Sequence, residues 1–286
     1  MTPGLRMKPS LTIGRGDIVL GLLPELGGRI ISLAFRGEEL LYAPEAMVFS
    51  DIASIPDLAV FKQTAGFNVY GGDKTWVAPE WEWGQKIPPL DLDAGVYTLE
   101  HKDGVVVMTS PVCRETGLQV IRRVGFSERG DIFLIETLRN MSAHTITKGI
   151  WNVTQIRRPF DVYLPAGKDD VRSYHYEDQT LPDPELEIYC QNDWSTIACH
   201  GNTCFKFGAM LREGQVAVVK DTPHGPLRWV RAFDIARDKP YAHRSMVEVF
   251  NASLYDYGEV EVHSPLTKIE PGAEVTLTQL WCLYLA

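Results

Sequence analysis

Residues 117–140 read GLQVIRRVGFSERGDIFLIETLRN. Two segments rich in Val, Ile, Leu and Phe flank SERG, a short polar stretch ending in glycine, which is turn chemistry between two strands. The same grammar recurs along the chain. DIVLGLL (17–23), GVVVMTS (104–110), QVAVVKD (215–221), MVEVF (246–250), YGEVEVHSP (257–265) and EVTLTQLWCLYL (274–285) are short alternating runs. HKDG, REG and EPGAE punctuate them. Many short strands with regular turn signals predict an all-β chain, an antiparallel sandwich or barrel. No amphipathic helical period extends beyond about three turns. Residues 38–66 are the expected place for a helical turn or irregular loop. The polar, Pro- and Asp-rich run 164–195 is expected to be a long loop, of the kind that often binds ligands. Residues 1–10 are expected to be loose and 11–286 to form one domain.

At 286 residues the chain can bury a large core. A net charge of −9 without a basic patch argues against nucleic acid and anionic lipid as partners. No run reaches the length of a membrane span, and the first ten residues lack the pattern of a signal peptide. Five irregularly spaced cysteines fit reduced thiols, so a cytoplasmic location is expected. CHGNTC (199–204) resembles half a zinc site, but a second ligand pair at suitable spacing is missing. Neither a metal nor a cofactor is expected.

Two stretches carry chemistry. In YGEVEVHSP, alternation puts Glu259, Glu261 and His263 on one strand face and Val260 and Val262 on the other. Glu248, between the apolar residues of MVEVF, joins that cluster if its strand pairs nearby. Crowded carboxylates cannot all ionise cheaply, which raises the pKa of one of them. The plain alternative is the solvated face of a half-exposed sheet. In NVYGGDKTWVAPEWEWG (68–84), Gly71 and Gly72 permit backbone shapes closed to other residues. Trp76, Trp81 and Trp83 offer flat apolar faces, while Asn68, Asp73, Lys74 and Glu80 offer directional hydrogen bonds. A hydroxylated ring needs that pairing of platform and polar groups. Tryptophans that merely cover the end of a sandwich would give the same composition.

Taken in order, ELGGRIISLAFRGEELLYAP, YGGDKTWVAPEWEWG, LIETLRNMSAHTITKGIWNVTQI and YGEVEVHSPLTKIEPGAEVTLTQLWCL resemble the galactose mutarotase-like superfamily, which includes the aldose 1-epimerases. The resemblance covers roughly residues 11–286, and order and spacing carry it more than any single motif. It implies one large antiparallel β-sandwich, with a sugar cleft on the concave face of one sheet. It also implies a general base at Glu261, or at Glu259 one pleat away. Asn152 and Gln155 stand where the family binds substrate, in GIWNVTQ, but the histidine acid of the epimerases is missing from that stretch. Lys74 or His263 is the expected substitute. Asn68, Asp73, Trp76, Glu80, Glu248 and Glu259 would contact the sugar. Arg122 or Arg123, together with Lys148 and Trp151, are further cleft candidates, and His175 is a candidate for its rim. His101, His144, His200, His224 and His243 receive no role. The implied activity is aldose 1-epimerase-like interconversion of sugar anomers. The alternatives are a non-catalytic sugar-binding protein on the same fold and, less compatible with so acidic a chain, a lyase of acidic sugars. The expected partner is a small sugar or sugar derivative.

Overall fold

Alternation along the strands sorts the chain into two layers. The computed structural model describes residues 5–6, 8–47, 51–174, 188–191, 193–201 and 203–286. Every strand pairing among them is antiparallel. A ten-stranded sheet has Gly225–Phe233, Glu274–Leu285, Ile132–Asn140 and Leu118–Phe126 side by side in its middle. The opening stretch forms two of these strands, paired from Leu118↔Asn140 to Phe126↔Ile132. The other sheet has eleven strands. Its middle runs Phe205–Ala209, Val247–Asn251, Tyr257–His263, Ile146–Arg157, Asp73–Ala78 and Arg29–Phe35. The architecture is thus an antiparallel β-sandwich.

One continuous apolar cluster fills the space between the sheets. Val247, Val249, Val260, Val262, Ile150 and Ile156 come from the eleven-stranded sheet, and Val120, Val124, Leu134 and Leu138 from the ten-stranded one. These are alternate residues of their strands, as period-2 patterning requires. The eight-residue helix Leu58–Ala65 lies within the stretch expected to hold a helical turn, with the Asp57 side chain accepting from the Val60 N–H as its cap. Leu5–Arg6 pairs with Ala46–Met47, so part of the stretch expected to be loose is a short strand. The run 164–195 contains strands Val171–Ser173 and Ile188–Gln191; His175 lies outside the described residues.

A polar bridge crosses the core. Arg122 and Arg231, both 0 % exposed, reach from the ten-stranded sheet to the inner face of its partner. Arg122 pairs with the Asp73 carboxylate and donates to the Gly28 carbonyl at 2.7 Å. Asp73 Oδ2 also accepts from Thr154 Oγ1 (2.6 Å) and Asn152 Nδ2 (2.9 Å). Arg231 donates to Thr154, Asn152 and Gln279, and Glu136 accepts from Asn152, Thr75 and Gln279. Buried polar groups are tolerated when each finds partners, and here they tie the two sheets in register.

The bridge corrects three expectations drawn from sequence. Asp73 and Asn152 were expected to meet a sugar, yet both side chains point into the interior. Neighbours on a strand face opposite ways, so Asp73 and Lys74 cannot share a face, nor can Asn152 and Trp151. Neither Arg122 nor Arg123 reaches the outer face of the eleven-stranded sheet: Arg122 is in the core, and Arg123 lies half-buried beside Thr137.

Candidate functional site

The outer face of the eleven-stranded sheet carries the residues of opposite parity. Lys206, Glu248, Glu259, Glu261, His263, Trp151, Val153, Gln155, Lys74 and Trp76 come from five neighbouring strands. The register fixes their positions. Glu248 pairs with Glu261, Trp151 lies between His263 and Trp76, and Val153 lies between Glu261 and Lys74.

Walls rise around this floor. Gly71 and Gly72 lead the chain into strand Asp73–Ala78 with φ of +79° and +70°. A Cβ there would stand 2.6 Å from the Tyr42 carbonyl oxygen or 2.5 Å from that of Ile30, so only glycine fits. Trp83 donates to the Val77 carbonyl (2.8 Å) and stacks on Trp151, with centroids 5.5 Å apart. Trp76 donates to Asp93 Oδ1 at 2.7 Å. Trp81, grouped with these by sequence, is 65 % exposed. The resulting cleft encloses about 240 Å³ and is lined by Phe67, Val69, Trp76, Glu80, Trp83, Lys86, Trp151, Lys206, Phe250, Tyr255, Tyr257, Glu259 and Glu261. That is below the ~300–1,000 Å³ of drug-sized sites and suits a single small ring.

Several buried polar atoms on this face have no hydrogen-bond partner, among them Glu261 Oε1 and Lys74 Nζ, which lie on strands either side of Val153. Glu261 is 0 % exposed; its Oε2 accepts from Trp151 Nε1 (2.8 Å) and Lys206 Nζ (3.0 Å), while Oε1 accepts nothing. Lys74 is 3 % exposed, and its Nζ lies 4.6 Å from the Trp76 ring centroid and 3.9 Å from Glu259 Oε1, with no hydrogen bond. Burial lowers the Lys74 ammonium to about 8, against the pull of Glu259. Burial also pushes the Glu261 carboxyl well up; Lys206 opposes the shift and Glu248 adds to it. Burial would raise Glu248 too, but Lys206, His243 and His263 outweigh it and hold that carboxyl well below its ordinary range. Glu259, the rival to Glu261, already accepts from Gln155 Nε2 at 2.7 Å.

The remaining sequence candidates separate. Asn68 is exposed on the approach to the Gly–Gly turn and does not line the cleft. Glu80 is on the rim. Lys148 pairs with Glu82 outside the cleft. His263, 1 % exposed, is stacked against Trp151 (centroids 5.3 Å apart) and is not a lining residue. His200 pairs with Asp161 at 3.0 Å, and all five cysteines are free thiols.

Among the residues that escaped the sequence reading are the wall residues Tyr255 and Tyr257, and Lys206 and His243. Lys206 sits between Phe205 and Phe207 in FKFGA, a lone charge between two core aromatics, and that alternation was a usable signal. His243 occupies a backbone kink with φ +55°, and its ring packs edge-on against Trp151 and His263. A loop residue of that kind leaves no periodic trace.

No family model matches the sequence, and no curated protein does. Solved structures do. A candidate aldose 1-epimerase from Escherichia coli K12 superposes with a TM-score of 0.61 at 12 % identity, over 96 % of this chain and 98 % of that one. A galactose mutarotase-like protein from Clostridium acetobutylicum gives 0.59 at 10 % identity, with all of both chains covered. A TPR-domain containing protein from Parabacteroides distasonis ATCC 8503 also gives 0.59, at 11 % identity, and there this chain spans 46 % of the longer protein. The two-sheet sandwich is therefore of a known class. It is the galactose mutarotase-like fold.

Proposed function

We propose that the cleft binds a small aldose or aldose derivative and interconverts its anomers by acid–base catalysis. The observation that carries this reading is the pair of buried, unpartnered atoms, Glu261 Oε1 and Lys74 Nζ, on strands either side of Val153. Two strand spacings separate their backbones by about 10 Å, and both side chains rise from the same face. Glu261 lines the cleft, while Lys74 lies just under its lining, against Trp76 and Glu259, and meets a ring when those side chains yield. Mutarotation needs that arrangement. Glu261 takes the proton from the anomeric hydroxyl as Lys74 gives one to the ring oxygen, and the C1–O5 bond breaks to leave an open-chain aldehyde. Rotation about C1–C2 and closure on the other carbonyl face, with both proton transfers reversed, yields the second anomer. An ordinary lysine is a poor acid at neutral pH, but one at about 8 is well matched to the task. Trp76, Trp83, Trp151, Tyr255 and Tyr257 supply apolar surface, and Glu80 and Glu259 supply partners for hydroxyls, while Gln155, buried under the lining, holds Glu259 in place. His263, behind Trp151, does not act as the acid. Free thiols fit a reducing compartment, and we place the protein in the cytoplasm.

Polarimetry on freshly dissolved single anomers tests the assignment. Glu261→Gln and Lys74→Met should each lower kcat by about 100- to 10,000-fold, with KM within a few-fold. A Glu261→Gln variant with wild-type kcat would overturn it. Binding without turnover in the wild type would leave a sugar-binding protein.

A further inference from the structure

Behind Trp151 lies a group of side chains that the proton-transfer scheme does not use. His243, Glu248 and His263 offer two imidazoles and a carboxylate, with one donor atom of each lying within 4.8 Å of the others. His243 Nδ1 is 3.1 Å from Glu248 Oε1, and His263 Nε2 is 3.4 Å from Glu248 Oε2. A tetrahedral ion with bonds of ~2.0–2.2 Å holds its donors about 3.3–3.6 Å apart. The two separations run to different oxygens of Glu248, so a carboxylate that binds through both oxygens, or turns to offer one, would bring the three side chains around one ion.

The cluster is also short of partners. His263 is 1 % exposed, yet neither ring nitrogen makes a hydrogen bond; the same holds for His243 Nε2 and Glu248 Oε2. Glu248 Oε2 does have a charge partner, the Lys206 ammonium at 2.9 Å, so the atoms left unsatisfied are those imidazole nitrogens. Unpaired buried polar atoms are costly, and such a set calls for something to complete it. Glu248 and Glu261 share the single ammonium of Lys206, so the cluster can accept further positive charge.

We propose that His243, Glu248 and His263 bind one divalent first-row transition-metal cation of the Zn²⁺ type, behind the cleft. Two imidazoles and one carboxylate, without thiolate, suit that class and leave coordination positions for water or ligand. Glu80 Oε1 stands 3.9 Å from His243 Nε2, beyond hydrogen-bond reach, and would have to turn toward the ring to orient a ligating imidazole. The site stands whether or not the cleft turns over a sugar.

Metal-stripped protein titrated with ZnCl2 by calorimetry, and with CoCl2 by absorption, tests this. The wild type should take up one ion per chain, with the d–d bands of low-coordinate Co²⁺. His243→Asn, which tolerates the positive φ, and the near-isosteric Glu248→Gln should each weaken binding by at least about 100-fold. In the wild type, Zn²⁺ should shift the imidazole NMR signals of His243 and His263, a readout that survives misfolding of either variant. No saturable uptake, uptake equally tight in both folded variants, or imidazole signals unmoved by Zn²⁺ would overturn the proposal.

Discussion

An ammonium 3 % exposed, lying over an indole with no hydrogen-bond acceptor, is costly for a folded chain to keep. The Lys74 value of about 8 lies below its unfolded value of 10.5, so the folded state disfavours the proton. Below pH 8 both states carry it and the full burial cost applies. Between 8 and 10.5 the unfolded chain binds more protons, and stability rises with pH. Lys74→Met should therefore be more stable than wild type at pH 7 by roughly 3 kcal/mol, and the difference should shrink toward zero near pH 10.5. Urea unfolding at both pH values measures this; a less stable variant at pH 7 would contradict it. A residue kept at a cost to stability is expected where function needs it. Glu261 could be picked out in the sequence because a charge between two valines on a strand is conspicuous, and Lys74 because it is the one cation in the Gly–Gly and tryptophan stretch. Asp73 was misjudged beside Lys74 because composition does not reveal parity until the strand boundaries are known.

Strand parity governs the element scale. In Leu118–Phe126 the adjacent Arg122 and Arg123 face opposite ways, and the two positions should respond very differently. Removing Arg122 leaves the Asp73 and Glu136 carboxylates buried without their nearest cation. Arg122→Met should cost about 3–5 kcal/mol, and Arg123→Met under about 1 kcal/mol. Denaturant midpoints measure both, and equal losses would contradict the assignment of Arg122 to the bridge. The face shared by Glu259, Glu261 and His263 followed from period-2 alternation in one strand. That Glu248 stands opposite Glu261 did not, because pairing between strands depends on the whole fold. Lys206 belongs to the same lesson: its strand was not recognised, so its charge had no address.

At the scale of the molecule, short alternating strands announced two antiparallel layers, since each strand needs a second apolar face to cover its own. The order of strands was not readable: Asp73–Ala78 and Tyr257–His263 flank Ile146–Arg157 although about 70 and 100 residues of chain separate them from it. That arrangement brings Lys74 and Glu261 to either side of Val153, and the proposed function depends on it. Saturation-transfer NMR between α- and β-anomeric protons, across free, phosphorylated and acidic aldoses, tests it most directly. For at least one aldose the wild type should accelerate exchange well beyond buffer, and Glu261→Gln should lose the acceleration while still broadening the sugar lines. No acceleration with any aldose would contradict the catalytic account.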